Sequence, residues 1–280
     1  MRAPRPANAR GPEISSGAVL LRALYVAVLA ILLGAGGGLL AFRYLSPASP
    51  PAKTPVHVLF IGNSYTMVND LPGTFAQLAA SGDNPVQTEM VAEGGWTLAQ
   101  HVAAPETRAT LQQRQWDYVV LQDQSQIPAD ASDRTRDVYP AVRQLVSEIQ
   151  AAGAKPLLFL TWGHQDGWPQ DGLPTYAAMQ DQLTAGYMGI ATELHIPVAP
   201  VGEAWRQAIT ASPQLDLWQS DGSHPTVEGT YLAACVFYAA IFQQSPVDLP
   251  YADGLAADTV RTLQTLAANT VLADPLRWHL

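Results

Sequence analysis

Two short blocks of the 280-residue chain hold residue types that can do nucleophilic chemistry together. Gly62-Asn63-Ser64-Tyr65-Thr66 follows an apolar run at 56–61, and Asp221-Gly222-Ser223-His224-Pro225-Thr226 precedes an apolar helical pattern at 227–242. Between them they supply a hydroxyl, an imidazole to take its proton, and a carboxylate to fix the imidazole tautomer, which are the three roles of acyl transfer. Asp221 and His224 are three residues apart, so one turn can bring the carboxylate to Nδ1 and leave Nε2 pointing outward toward Ser64. Taken singly, each block has a plainer reading. Gly-Asn after a strand suits a turn with positive φ, and Asp-Gly-x-His-Pro suits a capped loop before a helix. Their joint occurrence is the signal.

Residues so far apart need a frame that gathers loops at one edge. Val56-His57-Val58-Leu59-Phe60-Ile61 is apolar at nearly every position, as a parallel strand buried on both faces requires. Similar runs recur at 86–92, 118–121, 156–161 and 196–199, with helical patterns between them at 70–81, 97–114, 133–152 and 174–194 and after them at 201–211, 226–243 and 256–272. Asp70 before Leu71-Pro72 is a candidate N-cap and Gly153 a candidate helix stop. Alternating strands and helices predict a five-stranded parallel sheet between two helical layers. Sites on such sheets form past the carboxyl ends of the strands.

The other strand ends carry Glu93-Gly94-Gly95-Trp96, Gln122-Asp123-Gln124-Ser125 and Trp162-Gly163-His164-Gln165-Asp166. Together with the two blocks above, these resemble the SGNH (GDSL-like) hydrolases, flavodoxin-like α/β esterases and lipases with a serine after the first strand and Asp-x-x-His near the C-terminus. The resemblance spans most of residues 56–240. It implies Ser64 as nucleophile, His224 as base and Asp221 as its orienting acid. It further implies an oxyanion hole built from the Ser64 and Gly95 backbone N–H groups and a third donor. Where the family has Gly-x-Asn-Asp, this chain has Gln122-Asp123-Gln124-Ser125, and block alignment puts Gln124 at the amide position. Gln122 is the other candidate. Asn63, Trp96, Trp162, His164 and Trp168 are candidate substrate-lining residues, and His164 is also a rival base or a metal ligand with Asp166. His57, His101 and His195 read as structural and Cys235 as core.

The mechanism needs no cofactor and no metal. Asp123 and Asp221 raise a carboxylate-pair glycosidase as an alternative, although that would leave Ser64 and His224 idle. A non-catalytic, tethered carbohydrate-binding or scaffolding module on the same fold is a second alternative. The absence of Gly-x-Ser-x-Gly, Walker and dinucleotide glycine patterns disfavours α/β-hydrolase, nucleotide-hydrolase and dehydrogenase chemistry.

The chain is 48% hydrophobic and 14% charged with a formal net charge of −9, ample for a packed core. Residues 56–280 hold nine basic against 23 acidic side chains, a net of −14, which disfavours nucleic acid and anionic lipid as partners. The lone Cys235 excludes an internal disulfide. Residues 1–22 carry four Arg and one acid, and 23–42 are uncharged, a span of about 30 Å as a helix. The expectation is a cytoplasmic segment at 1–22, a transmembrane anchor at 23–42 with a Gly34-x-x-x-Gly38 spacing, a Pro-rich linker at 43–55 and an extracytoplasmic domain at 56–280. A cleaved signal peptide is the alternative. The function expected is a membrane-anchored serine esterase, with O-acetyl groups on cell-surface or extracellular glycans as the specific candidate.

Overall fold

The computed structural model describes residues 53–280, and the expected anchor at 23–42 lies outside them. Among the described residues no helix is long and apolar enough to cross a membrane. β1 (Val56–Gly62) pairs in parallel with β2 (Val86–Ala92) on one side and β3 (Tyr118–Leu121) on the other, and β4 (Lys155–Phe159) and β5 (Val198–Ala199) complete the order β2-β1-β3-β4-β5. This is the doubly wound, flavodoxin-like strand order. The unbroken apolar run of β1 has its cause here, since alternate residues enter different cores. Val58 and Phe60 pack in one, Leu59 and Ile61 in the other.

The first core is covered by α2 (Leu71–Ser81), α7 (Val201–Ala211), α8 (Val227–Phe242) and α9 (Ala257–Leu272), the second by α3 (Leu98–Ala103), α5 (Tyr139–Ala151) and α6 (Tyr176–Leu194). A four-residue helix, α1 (Ser64–Met67), leaves β1, and α4 (Pro105–Gln112) follows α3. α8 is apolar on every side because it is buried on every side: all its residues from Gly229 to Ile241 are buried.

The sequence expectations fail where proline or strand length intervenes. The pattern at 97–114 is two helices, because Pro105 forces Ala104 into an extended conformation (φ −82°, ψ 120°). The pattern at 133–152 becomes a regular α-helix only at Tyr139, after a wide π-type turn at Arg134–Val138, where Pro140 has no N–H for the Arg136 carbonyl. β4 ends at Phe159 rather than 161 because its partner β5 has two residues. Asp70 does cap α2 through Gly73 N–H (3.2 Å), and Gly153 (φ +81°) follows the last turn of α5.

Candidate active site

The turn after β1 is fixed by amides. Asn63 is extended (φ −139°), not a positive-φ turn residue, and caps α1 by accepting from Tyr65 N–H at 3.1 Å. Its side-chain NH₂ donates to the Trp96 carbonyl (2.9 Å), and its backbone N–H donates to Gln122 Oε1 (2.8 Å). Gln122 also accepts from the Thr66 hydroxyl (2.9 Å) and donates to Asn63 Oδ1 (2.9 Å) and to the Asp123 carbonyl. Every polar atom of this fully buried amide is therefore committed to holding the turn. Gly62 is required by this close packing, since a Cβ there would lie 2.5 Å from both Gln122 Oε1 and Thr66 Oγ1.

The second block folds as a turn around its own carboxylate. Asp221 Oδ1 accepts from the backbone N–H of Ser223 (2.9 Å) and His224 (3.0 Å), while Oδ2 meets His224 Nδ1 at 2.5 Å. Its slight burial raises its pKa, but the bond from the His224 ring and the two backbone donors outweigh this and bring it down to about 2. An ionised Asp221 keeps the ring proton on Nδ1 and leaves Nε2 as the acceptor. That Nε2 stands 2.9 Å from Ser64 Oγ. The capped-loop reading is met in part: Thr226, not Asp221, caps α8, accepting from Gly229 N–H (3.3 Å).

Ser64, Gly95, Gln124 and His224 line one cleft of about 430 Å³, together with Asn63, Tyr65, Gly94, Ser125, Gln126, His164 and Ser223. Among the described residues no aliphatic side chain lines it. Gly95 has φ +74°, which only glycine adopts without strain, and open space where a Cβ would be. Among the described residues, neither Ser64 nor Gly95 backbone N–H donates to a protein acceptor. Gln124 Oε1 accepts from Gln126 N–H (2.7 Å) and Ile127 N–H (3.1 Å), its NH₂ meets Gln126 Oε1 at 3.3 Å, and the residue lines the cleft. Of the two glutamines, Gln124 borders the cleft and Gln122 serves the scaffold.

Several sequence-level expectations are corrected. Trp162 does not line the cleft: it is wholly buried, stacked between Tyr65 (4.5 Å) and Trp205 (4.2 Å), with its indole N–H donating to the Ser223 carbonyl (3.0 Å). Trp96 contributes its carbonyl to Asn63 and lays its ring against His101, and it is not among the residues that line the cleft. Trp168 borders a neighbouring depression. His164 Nε2 contacts the hydroxyls of Ser125 and Ser223, both at 3.1 Å, not Ser64 or Asp166. Asp123 is 1% exposed, and its Oδ1 accepts from Leu98 N–H (3.0 Å) and Gln124 N–H (2.7 Å). It does not face Asp221 across the cleft, so the carboxylate-pair alternative lacks its geometry. His195 is the left-handed cap residue of α6, and His57 pairs with Arg114. His101 bridges the Gly62 carbonyl (2.8 Å) and Thr107, and Cys235 is buried in the first core.

Tyr65, Gly94, Ser125, Gln126 and Ser223 line the cleft without a role in the sequence reading. The Tyr65 hydroxyl meets Ser223 Oγ at 2.8 Å, and burial holds the phenol neutral by pushing its pKa far above the ordinary value. Tyr65 and Ser223 lie inside the two motif blocks, next to Ser64 and His224, and that adjacency was the available signal.

No family model matches the sequence, and no curated protein matches it either. Solved structures do. A DUF4886 family protein from Bacteroides uniformis superposes with TM-score 0.68 at 20% identity, over 78% of this chain and 95% of its own. A proposed SGNH hydrolase from Slackia heliotrinireducens is 28% identical at TM-score 0.56, over 66% of this chain and 98% of its own. An acetylxylan esterase from Geobacillus stearothermophilus gives TM-score 0.51 at 17% identity, over 67% and 94%. The chain has the SGNH (GDSL-like) hydrolase fold.

Proposed function

We propose that this protein is a serine ester hydrolase working through an acyl-enzyme, with short acyl esters, O-acetyl groups on glycans foremost, as substrates. The observation that carries the reading is the unbroken contact chain Asp221 Oδ2, His224 Nδ1, His224 Nε2, Ser64 Oγ at 2.5 and 2.9 Å. His224 takes the Ser64 proton as Oγ attacks the ester carbonyl, and Asp221 stabilises the resulting imidazolium. The Ser64 and Gly95 N–H groups and the Gln124 amide hold the oxyanion. His224 gives the proton to the departing alcohol, and a water activated by the same imidazole releases the acid and regenerates Ser64.

The lining of the cleft supports a short acyl group. A long chain gains about 0.8 kcal/mol for each methylene it buries against apolar side chains, and among the described residues no aliphatic side chain lines the cleft. The hydrolase description of the Slackia heliotrinireducens protein supports the same class of chemistry. The uncharged run at 23–42, preceded by four arginines, supports membrane anchoring with the domain outside the cytoplasm. The test is a series of 4-nitrophenyl esters from acetate to decanoate, given to wild type and Ser64→Ala. Acetate preferred by wild type and lost in the variant is expected; equal hydrolysis by the variant overturns the proposal.

A further inference from the structure

The loop after β4 borders a second depression of about 370 Å³ beside the cleft, lined by Asp166, Trp168, Pro169 and Gln170 and by the Asp221-Gly222 turn. The two hollows share Gln126 and His164, so they adjoin across those side chains. Trp168 is half-buried: its ring packs against the second core and also lines this hollow. The loop is held in shape. Trp168 and Leu173 exchange backbone hydrogen bonds, and Gln165 N–H donates to the Gly222 carbonyl at 2.8 Å, tying the loop to the turn that carries Asp221.

The chemistry of the lining narrows the occupant. A flat indole with amide and imidazole groups around it suits a ring that has an apolar C–H face and a rim of hydroxyls. Among the described residues neither hollow is lined by lysine or arginine, while Asp166 and Asp221 both border the second, so phosphate and carboxylate groups are repelled. Among the described residues Trp168 and Pro169 are the only apolar side chains there, too little surface for an acyl tail.

Resting on the serine-esterase reading, we propose that this hollow is the subsite for a neutral saccharide on the alcohol side of the ester, with one sugar ring laid on the Trp168 indole. The preferred substrate is then an acetylated neutral sugar oligomer. Glycerol esters and acetylated uronic-acid polymers are poor substrates.

The experiment compares acetylated xylohexaose, glyceryl monoacetate, acetylated polygalacturonate and 4-nitrophenyl acetate across wild type, Trp168→Ala and Trp168→Phe. The wild type is expected to have its highest kcat/KM among the three natural-type esters on the xylohexaose ester. Trp168→Ala should raise KM for that ester about three- to tenfold with kcat unchanged, while 4-nitrophenyl acetate turnover, which also reports correct folding, stays at the wild-type level. Trp168→Phe should restore most of the lost affinity. An unchanged KM in Trp168→Ala, an equal loss on 4-nitrophenyl acetate, or a preference for the glyceryl or galacturonate ester overturns the subsite. A wild type inert toward 4-nitrophenyl acetate overturns the esterase reading itself.

Discussion

Two serine–imidazole arrangements share one cleft. In the first, Ser64 Oγ meets His224 Nε2 at 2.9 Å, and the far nitrogen of the ring is held by Asp221. In the second, His164 Nε2 meets both Ser125 and Ser223 at 3.1 Å, but among the described residues no carboxylate bonds to its Nδ1. Burial also lowers the His164 pKa, which makes that ring a weaker proton acceptor. The contrast teaches that a hydroxyl beside an imidazole is not sufficient. What makes a base is the partner behind the ring, which fixes its tautomer and stabilises its charged form. The Tyr65–Ser223 contact links the two arrangements, pinning the middle of the Asp221–His224 turn against the rigid stack of Tyr65, Trp162 and Trp205.

The comparison breaks first at the nucleophile. Ser64→Ala should lower kcat/KM on 4-nitrophenyl acetate by on the order of 10⁴-fold or more, while Ser125→Ala in the same assay stays active. Asp221→Asn follows, with a loss of roughly 10³–10⁴ in kcat as the tautomer constraint goes. Because the Asp221 pKa is brought down to about 2, its carboxylate stays ionised through mildly acidic solution. A pH profile of kcat/KM therefore carries no inflection from Asp221 in that range. Gln124→Ala should cost about 10²–10³ in kcat with little change in KM, the mark of a donor used in the transition state. A Gln122→Ala variant should instead lose stability, by chemical denaturation, because it strips the nucleophile turn of its bonds.

Smaller effects sharpen the contrast. His164→Gln should keep kcat on 4-nitrophenyl acetate within about tenfold of wild type; a loss beyond about 10² would give that ring a share of the proton transfer. Asp123 titrates without touching the chemistry. Burial holds its pKa up at about 6 against an ordinary 3.8, so the folded state binds this proton more tightly than the unfolded one. Its contribution is fully present below pH 3.8 and is lost as pH rises through about 6. Asp123→Asn keeps an oxygen for Leu98 and Gln124 N–H and never ionises, so its Tm relative to wild type should rise across that window. A flat difference would contradict the assignment.

Much of this was legible because it is local or periodic. The run at 56–61 reads as a strand buried on both faces, and the carboxylate–imidazole contact of Asp-x-x-His is made within a single turn. The choice between Gln122 and Gln124 was not legible. Both are polar residues at the end of β3, and only the packing of Asn63 and Thr66 against the first commits it to the scaffold. Trp162 was misread for the same kind of reason. At a strand end it could face the cleft or the core, and the Tyr65 and Trp205 rings that claim it come from distant segments. The breaks at 104–105 and 134–138 were signalled by Pro105 and Pro140, whose missing N–H groups outweigh the helical periodicity around them.

The most direct test is to treat the protein with a fluorophosphonate and map the adduct by peptide mass spectrometry, with His224→Gln in parallel. The account predicts one adduct, on Ser64, formed by wild type and lost in the variant. An adduct on Ser125 or Ser223, or labelling of Ser64 that survives the loss of His224, would contradict it.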